Sequence, residues 1–127
     1  VAAHLSRGVP PARLGRKVTD WIRLPWPEPV RSRNAARGEV LYVDRFGNAI
    51  TNIEPEPGLS GPGMIGEVVG RRKVRCPVAE FYGAVPVNRP VAVFGSSGFL
   101  EIAVNGGSAA REFGIRAGAG VVLRRVR

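Results

Sequence analysis

The chain has 127 residues, 44% of them hydrophobic, which is enough for one domain with one core and too apolar for a disordered segment. Apolar runs such as PVAVF are far too short to cross a membrane as a helix. The single cysteine, Cys76, excludes an internal disulfide and fits a reducing cytoplasm, and with one histidine it cannot form a zinc site alone.

The formal charge of +9 points to an anionic partner such as nucleic acid. Only Lys17 and Lys73 are lysines, however, and an Ala-, Gly-, Pro- and Arg-rich chain is also what GC-rich codon usage produces. The chain opens without Met or a signal-like segment, at VAAHLSRG, so a fragment or a processed product is expected.

Residues 1–8 read as the last turns of a helix closed by Gly8, and VPPARLG as a turn with a short helical stretch. From Trp21 to Asn34 the prolines predict an irregular strap whose two tryptophans pack on a neighbouring surface. The texture changes at Gly38. EVLYVD, AITNI, MIGEVVG, KVRCPVAEF, PVAVFG, FLEIAV and GVVLRRV are β-type segments, separated by turns such as FGN, NRP and GSSG. Only GSAAREFG, residues 107–114, reads as a helix. Seven short strands at close spacing predict an antiparallel barrel or sandwich over 38–127, with 1–37 as the tail of a preceding domain plus a linker.

Alternation in EVLYVD places Val40, Tyr42 and Asp44 on one side. In FLEIAV it places Leu100, Ile102 and Val104 opposite Glu101, so Glu101 leaves the core face or lines a polar cavity. Cys76 is expected as buried apolar filler.

No phosphate-cradling loop, dinucleotide fingerprint or nucleophile elbow is present. Two loops carry more chemistry than a turn needs: Asp44-Arg45-Phe46-Gly47-Asn48, and Gly95-Ser96-Ser97-Gly98. Asp44 could meet an ammonium, Asn48 a base edge, Phe46 and Tyr82 a ring face, and Ser96 a polar tail, a set that suits a nucleoside with an amino-acid tail. Equally, Asp44 and Asn48 could cap a turn, Phe46 and Tyr82 could be core, and Glu101 could be a solvated strand residue.

GEVLYVDRFGNAITNI and SSGFLEIAVNGGSAAREFGI resemble the C-terminal domain of the S-adenosyl-L-methionine hydroxide adenosyltransferases, relatives of the fluorinases and chlorinases. AAHLSRGVPPARLG resembles the exit of that family's N-terminal domain. The resemblance implies a mainly β fold: a small antiparallel β-barrel with an N-terminal helical or extended strap left from an absent α/β domain. It implies homotrimers in which S-adenosyl-L-methionine, as substrate, binds between the N-terminal domain of one subunit and the C-terminal domain of its neighbour. Water or hydroxide then attacks the ribose 5′ carbon, giving adenosine and L-methionine.

The Asp, Arg and His that handle the water belong to the N-terminal domain. The chain is therefore expected to hold no catalytic residue and no metal or other cofactor, and to be inactive alone. By motif position, Asp44 matches the acid for the methionine ammonium, Phe46 the aromatic of its loop and Asn48 the adenine-reading amide. Tyr82 matches the stacking aromatic and Ser96 the serine near the methionine tail. Glu101 and Val104 fall on the strand passing the adenosine, Val104 through its backbone. Gly95 and Ser97 depart from the usual amide and ring, and Glu101 sides with the hydroxide branch. A basic β-barrel that binds nucleic acid through Arg71, Arg72 and Arg75 is the alternative.

Overall fold

The computed structural model describes residues 1–126. A short helix α1 (Ala2–Ser6) and a 3-10 turn (Pro11–Arg13) lead into eight strands: β1 (Val30–Ser32), β2 (Ala35–Val43), β3 (Ala49–Thr51), β4 (Met64–Val69), β5 (Lys73–Ala79), β6 (Pro90–Phe94), β7 (Leu100–Val104) and β8 (Gly120–Arg125), with α2 (Ala109–Phe113) between β7 and β8. The order β2-β3-β7-β6-β5-β4-β8 closes on itself through β2–β8, and β1 pairs with β2. The protein is therefore mainly β, and a seven-stranded barrel leaves few unpaired edges.

Three features depart from the sequence reading. Regular structure begins before residue 38, because β1 and the start of β2 form a hairpin once the prolines end at Pro29. Within β2 the register shifts between Val40 and Tyr42, so Val40 is buried while Tyr42 is exposed, and simple alternation fails there. β2 changes partner between Glu39 and Val40: residues 35–39 pair with β8 and residues 40–43 with β3, and the irregularity falls inside the second part. Finally, β5 and β6 run parallel, so the barrel is mixed, with every other neighbouring pair antiparallel. The ten residues from Glu80 to Arg89 make this possible, since a tight hairpin could join only antiparallel strands.

The barrel interior is filled from alternate positions, among them Val74 and Cys76 of β5, Leu100 and Ile102 of β7, and Val121 and Leu123 of β8. Burial pushes the Cys76 thiol up to about 12, in keeping with its role as filler. A second cluster lies outside the barrel, where the 80–89 connection brings Val85 onto Val91, Val93 and Ala103.

None of residues 1–35 is buried. The strap is held at two points. The Asn52 amide donates to the Pro27 carbonyl at 2.6 Å and its oxygen accepts from the Glu39 N–H at 2.8 Å. Trp26 tilts against Phe99 with ring centroids 6.2 Å apart. Trp21 is exposed and carries only the Arg23 guanidinium on its ring. Among the described residues, no helix is long and apolar enough to cross a membrane.

Candidate functional site

The Asp44–Asn48 loop is built by its own side chains. The Asp44 Oδ1 accepts from the Phe46 and Asn48 N–H groups at 2.9 and 2.8 Å, and its Oδ2 accepts from the Asn48 Nδ2 at 3.1 Å. The turn-capping reading of Asp44 is thus correct as far as it goes. A carboxylate offers about four lone-pair sites. Three are occupied here, which leaves one on Oδ2 for a ligand. Asn48 likewise keeps one N–H and its oxygen.

The loop is docked on α2. The Ala110 N–H donates to the Gly47 carbonyl at 3.0 Å. Gly47 has φ +88°, and a Cβ there would fall on Ser108 Oγ, the oxygen that caps α2. Only glycine meets both demands. Docking leaves Phe46 outside the core, 62% exposed with the Arg45 guanidinium 4.7 Å from its ring centre.

Tyr82 arrives from the other side, on a 3-10 turn (Tyr82–Ala84) of the 80–89 connection. It is 39% exposed, and its hydroxyl donates to Glu101 Oε2 at 2.6 Å. Burial, the bond to Glu101 and the charges of Glu101 and Asp44 together push the phenol up to about 12, so Tyr82 remains a neutral donor. Neither Phe46 nor Tyr82 is a core residue. Glu101 sits on the outer face of β7, opposite Val93 and Ile50, yet is only 8% exposed because Tyr82 lies over it.

Asp44, Phe46, Asn48, Tyr82, Ser96, Glu101 and Val104 all line one depression of about 720 Å³, completed by Asn105, Gly106 and Gly107. Val104 belongs to the core cluster. Its carbonyl accepts from the Gly107 N–H at 3.1 Å. The sequence reading assigned none of the last three to the site. Asn105 holds that turn against the 80–89 connection by donating to the Val85 carbonyl at 2.7 Å.

The lining contains two carboxylates and no Lys, Arg or His, in a chain of net charge +9. Asp44 and Glu101 thus make a local anionic basin that favours a cationic ligand. The arginine-rich segment after β4 is partly engaged elsewhere. Lys73 and Arg75 contact Glu67 at 2.6 and 2.7 Å, and Arg72 lies 5.3 Å from the Phe113 ring centre. Among the described residues, no group of three or more metal-ligating side chains exists.

Residues 38–122 match the family described as the SAM hydroxide adenosyltransferase C-terminal domain. Over 124 residues the chain is 44% identical to a Thermus thermophilus protein named (R)-S-adenosyl-L-methionine hydrolase, covering 96% of this chain and 44% of that protein. An uncharacterized conserved protein from Thermotoga maritima has a similar solved structure, with TM-score 0.77 and 35% identity over 98% of this chain and 49% of that one. The solved structure of a conserved hypothetical protein from Thermus thermophilus gives TM-score 0.67 and 44% identity over 96% and 48%. The chain spans about half the length of these relatives, or slightly less.

Proposed function

The chain belongs to the SAM hydroxide adenosyltransferase family, matching its C-terminal domain, and from that premise we propose that it is the substrate-gripping part of an enzyme that cleaves S-adenosyl-L-methionine with water or hydroxide to adenosine and L-methionine. The observation that carries this reading is the anionic depression. S-adenosyl-L-methionine brings two cations, a sulfonium and an ammonium, and Asp44 and Glu101 supply the opposite charge, while the Arg45 guanidinium is stacked on the Phe46 ring.

In this reading Asp44 takes the ammonium on its remaining lone pair, Asn48 reads the adenine edge and Phe46 and Tyr82 supply ring faces. Ser96 meets the amino-acid tail, and the backbone at Val104 passes the nucleoside. In this reading Asp44 and Glu101 serve the ligand's cations and Tyr82, not the attacking water. A sulfonium leaves without acid help, so the chemistry rests on aligning and desolvating the nucleophile. We assign that task to an N-terminal α/β domain of a neighbouring subunit in a trimer, and the enzyme to the cytoplasm.

The test is an adenosine-release assay with calorimetry, using the intact protein and this chain alone. The Thermus relative's name specifies the R configuration at sulfur, so both sulfonium epimers are assayed. Saturable binding and adenosine formation by the intact protein, with no turnover by the 127-residue chain, is the expected result. Absence of adenosine from the intact protein overturns the activity. Robust turnover by the chain alone overturns the division of labour.

A further inference from the structure

We infer that Gly95 is a positioning residue for the depression: the space left by its missing side chain seats the Glu101 carboxylate, and through Glu101 it sets where Tyr82 stands. The inference rests on reading the depression as the S-adenosyl-L-methionine site.

Gly95 follows β6 and opens the turn to Gly98. Its N–H donates to the Phe99 carbonyl at 3.0 Å, and its carbonyl accepts from the Gly98 N–H at 3.0 Å. Unlike Gly98, it is not among the positive-φ residues, so its backbone conformation is open to any side chain. What glycine supplies here is room. A Cβ at residue 95 would fall on Glu101 Oε1 and against Cδ, with Cγ at 3.1 Å.

Glu101 cannot retreat as a whole, because its backbone is fixed within β7 between β3 and β6. The carboxylate is the flexible end of the side chain, so it would swing away from β6 while the barrel stayed intact. The depression that Glu101 lines is the open side. Swinging there inserts a charged group into ligand space and removes the acceptor of the Tyr82 hydroxyl. Gly95 itself does not line the depression but its neighbour Ser96 does, so pairing Gly95→Ala with a Glu101 variant is what separates a route through Glu101 from one through the turn.

A double-mutant cycle on the intact protein tests the coupling. Gly95→Ala is expected to weaken S-adenosyl-L-methionine binding by about tenfold, a typical size for directly contacting side chains. In a Glu101→Ala background the atoms that the new Cβ would strike are gone. There, Gly95→Ala is expected to change affinity by less than about twofold. Equal losses in both backgrounds, or no loss in the first, overturn the inference. A fall in melting temperature caused by Gly95→Ala supports it when Glu101→Ala restores the melting, and overturns it when Glu101→Ala does not.

A second readout needs no ligand. In the 127-residue chain carrying Tyr42→Phe, Tyr82 is the sole tyrosine, and its labelled ring carbon in NMR reports the bond to Glu101. Gly95→Ala should move that signal toward the position it takes in Glu101→Ala, and an unmoved signal overturns the inference. Failure of the parent protein to bind S-adenosyl-L-methionine would refute the proposed function, while the tyrosine signal still decides whether Gly95 seats Glu101.

Discussion

Asp44 shows how one side chain serves structure and recognition together. Its carboxylate closes the loop through three hydrogen bonds and has one lone-pair site left. Because the loop depends on Asp44, replacing it would confuse folding with binding. Asn48 separates the two better, since its side chain makes a single bond within the loop, to Asp44 Oδ2. Asn48→Ala should cost about 0.5–1.5 kcal/mol of stability through that bond. It should also weaken S-adenosyl-L-methionine binding in the intact protein by about 1–3 kcal/mol, because base donors and acceptors are left unpaired in a desolvated site. Asn48→Gly should lose affinity to the same extent. Melting curves and calorimetry on both variants check this, and unchanged affinity in either removes Asn48 from the adenine site.

At the scale of elements, the outer face of β4, β5 and β8 is joined by charge. Glu67 is nearly buried and meets Lys73, Arg75 and, at 3.9 Å, Arg124. The hydrogen bond from Lys73 lowers the Glu67 carboxyl most, against the opposing effect of burial, with Arg75 adding to it. A carboxylate lowered in the folded state adds stability above its unfolded value, and that stability is lost as pH falls through the folded value. Stability should therefore decline below about pH 4.5. Glu67→Gln should flatten that acid decline and cost only about 1 kcal/mol at neutral pH, since the cations left behind reach water. Urea melts at pH 7 and pH 4 measure both effects, and an unchanged acid slope would refute the role of Glu67. The same network occupies two cations of the arginine-rich segment.

At the scale of the molecule, the barrel closes without the first 29 residues. None of these is buried, and the contacts that hold them are the Asn52–Pro27 bond and the Trp26–Phe99 pair. Removing residues 1–29 from the 127-residue chain should leave a cooperative thermal transition and cost about 0.5–1.5 kcal/mol, chiefly from the lost Asn52–Pro27 bond. Circular dichroism melts decide this, and loss of cooperative folding would show that the strap is part of the core. Trp21, Ile22 and Leu24 leave the strap with exposed apolar side chains.

Much of this protein was legible in the sequence because the signals are local. Gly and Pro mark the turns, alternation marks β7, and GSAAREFG marks α2. The two loops announced themselves by carrying acid, amide, ring and hydroxyl where a turn needs only glycine. The tertiary structure alone decided how distant segments meet: β2 shared between β8 and β3, the parallel β5–β6 pair, Asn52 on a carbonyl 25 residues away, and Tyr82 bonded to Glu101. Gly95 is the sharpest case. Its loop stood out in the sequence for its hydroxyls, but nothing there showed that the Glu101 carboxylate rests where a side chain at residue 95 would be. Turn and strand preferences act over a few residues along the chain, whereas steric room is set by whatever the closed barrel brings alongside.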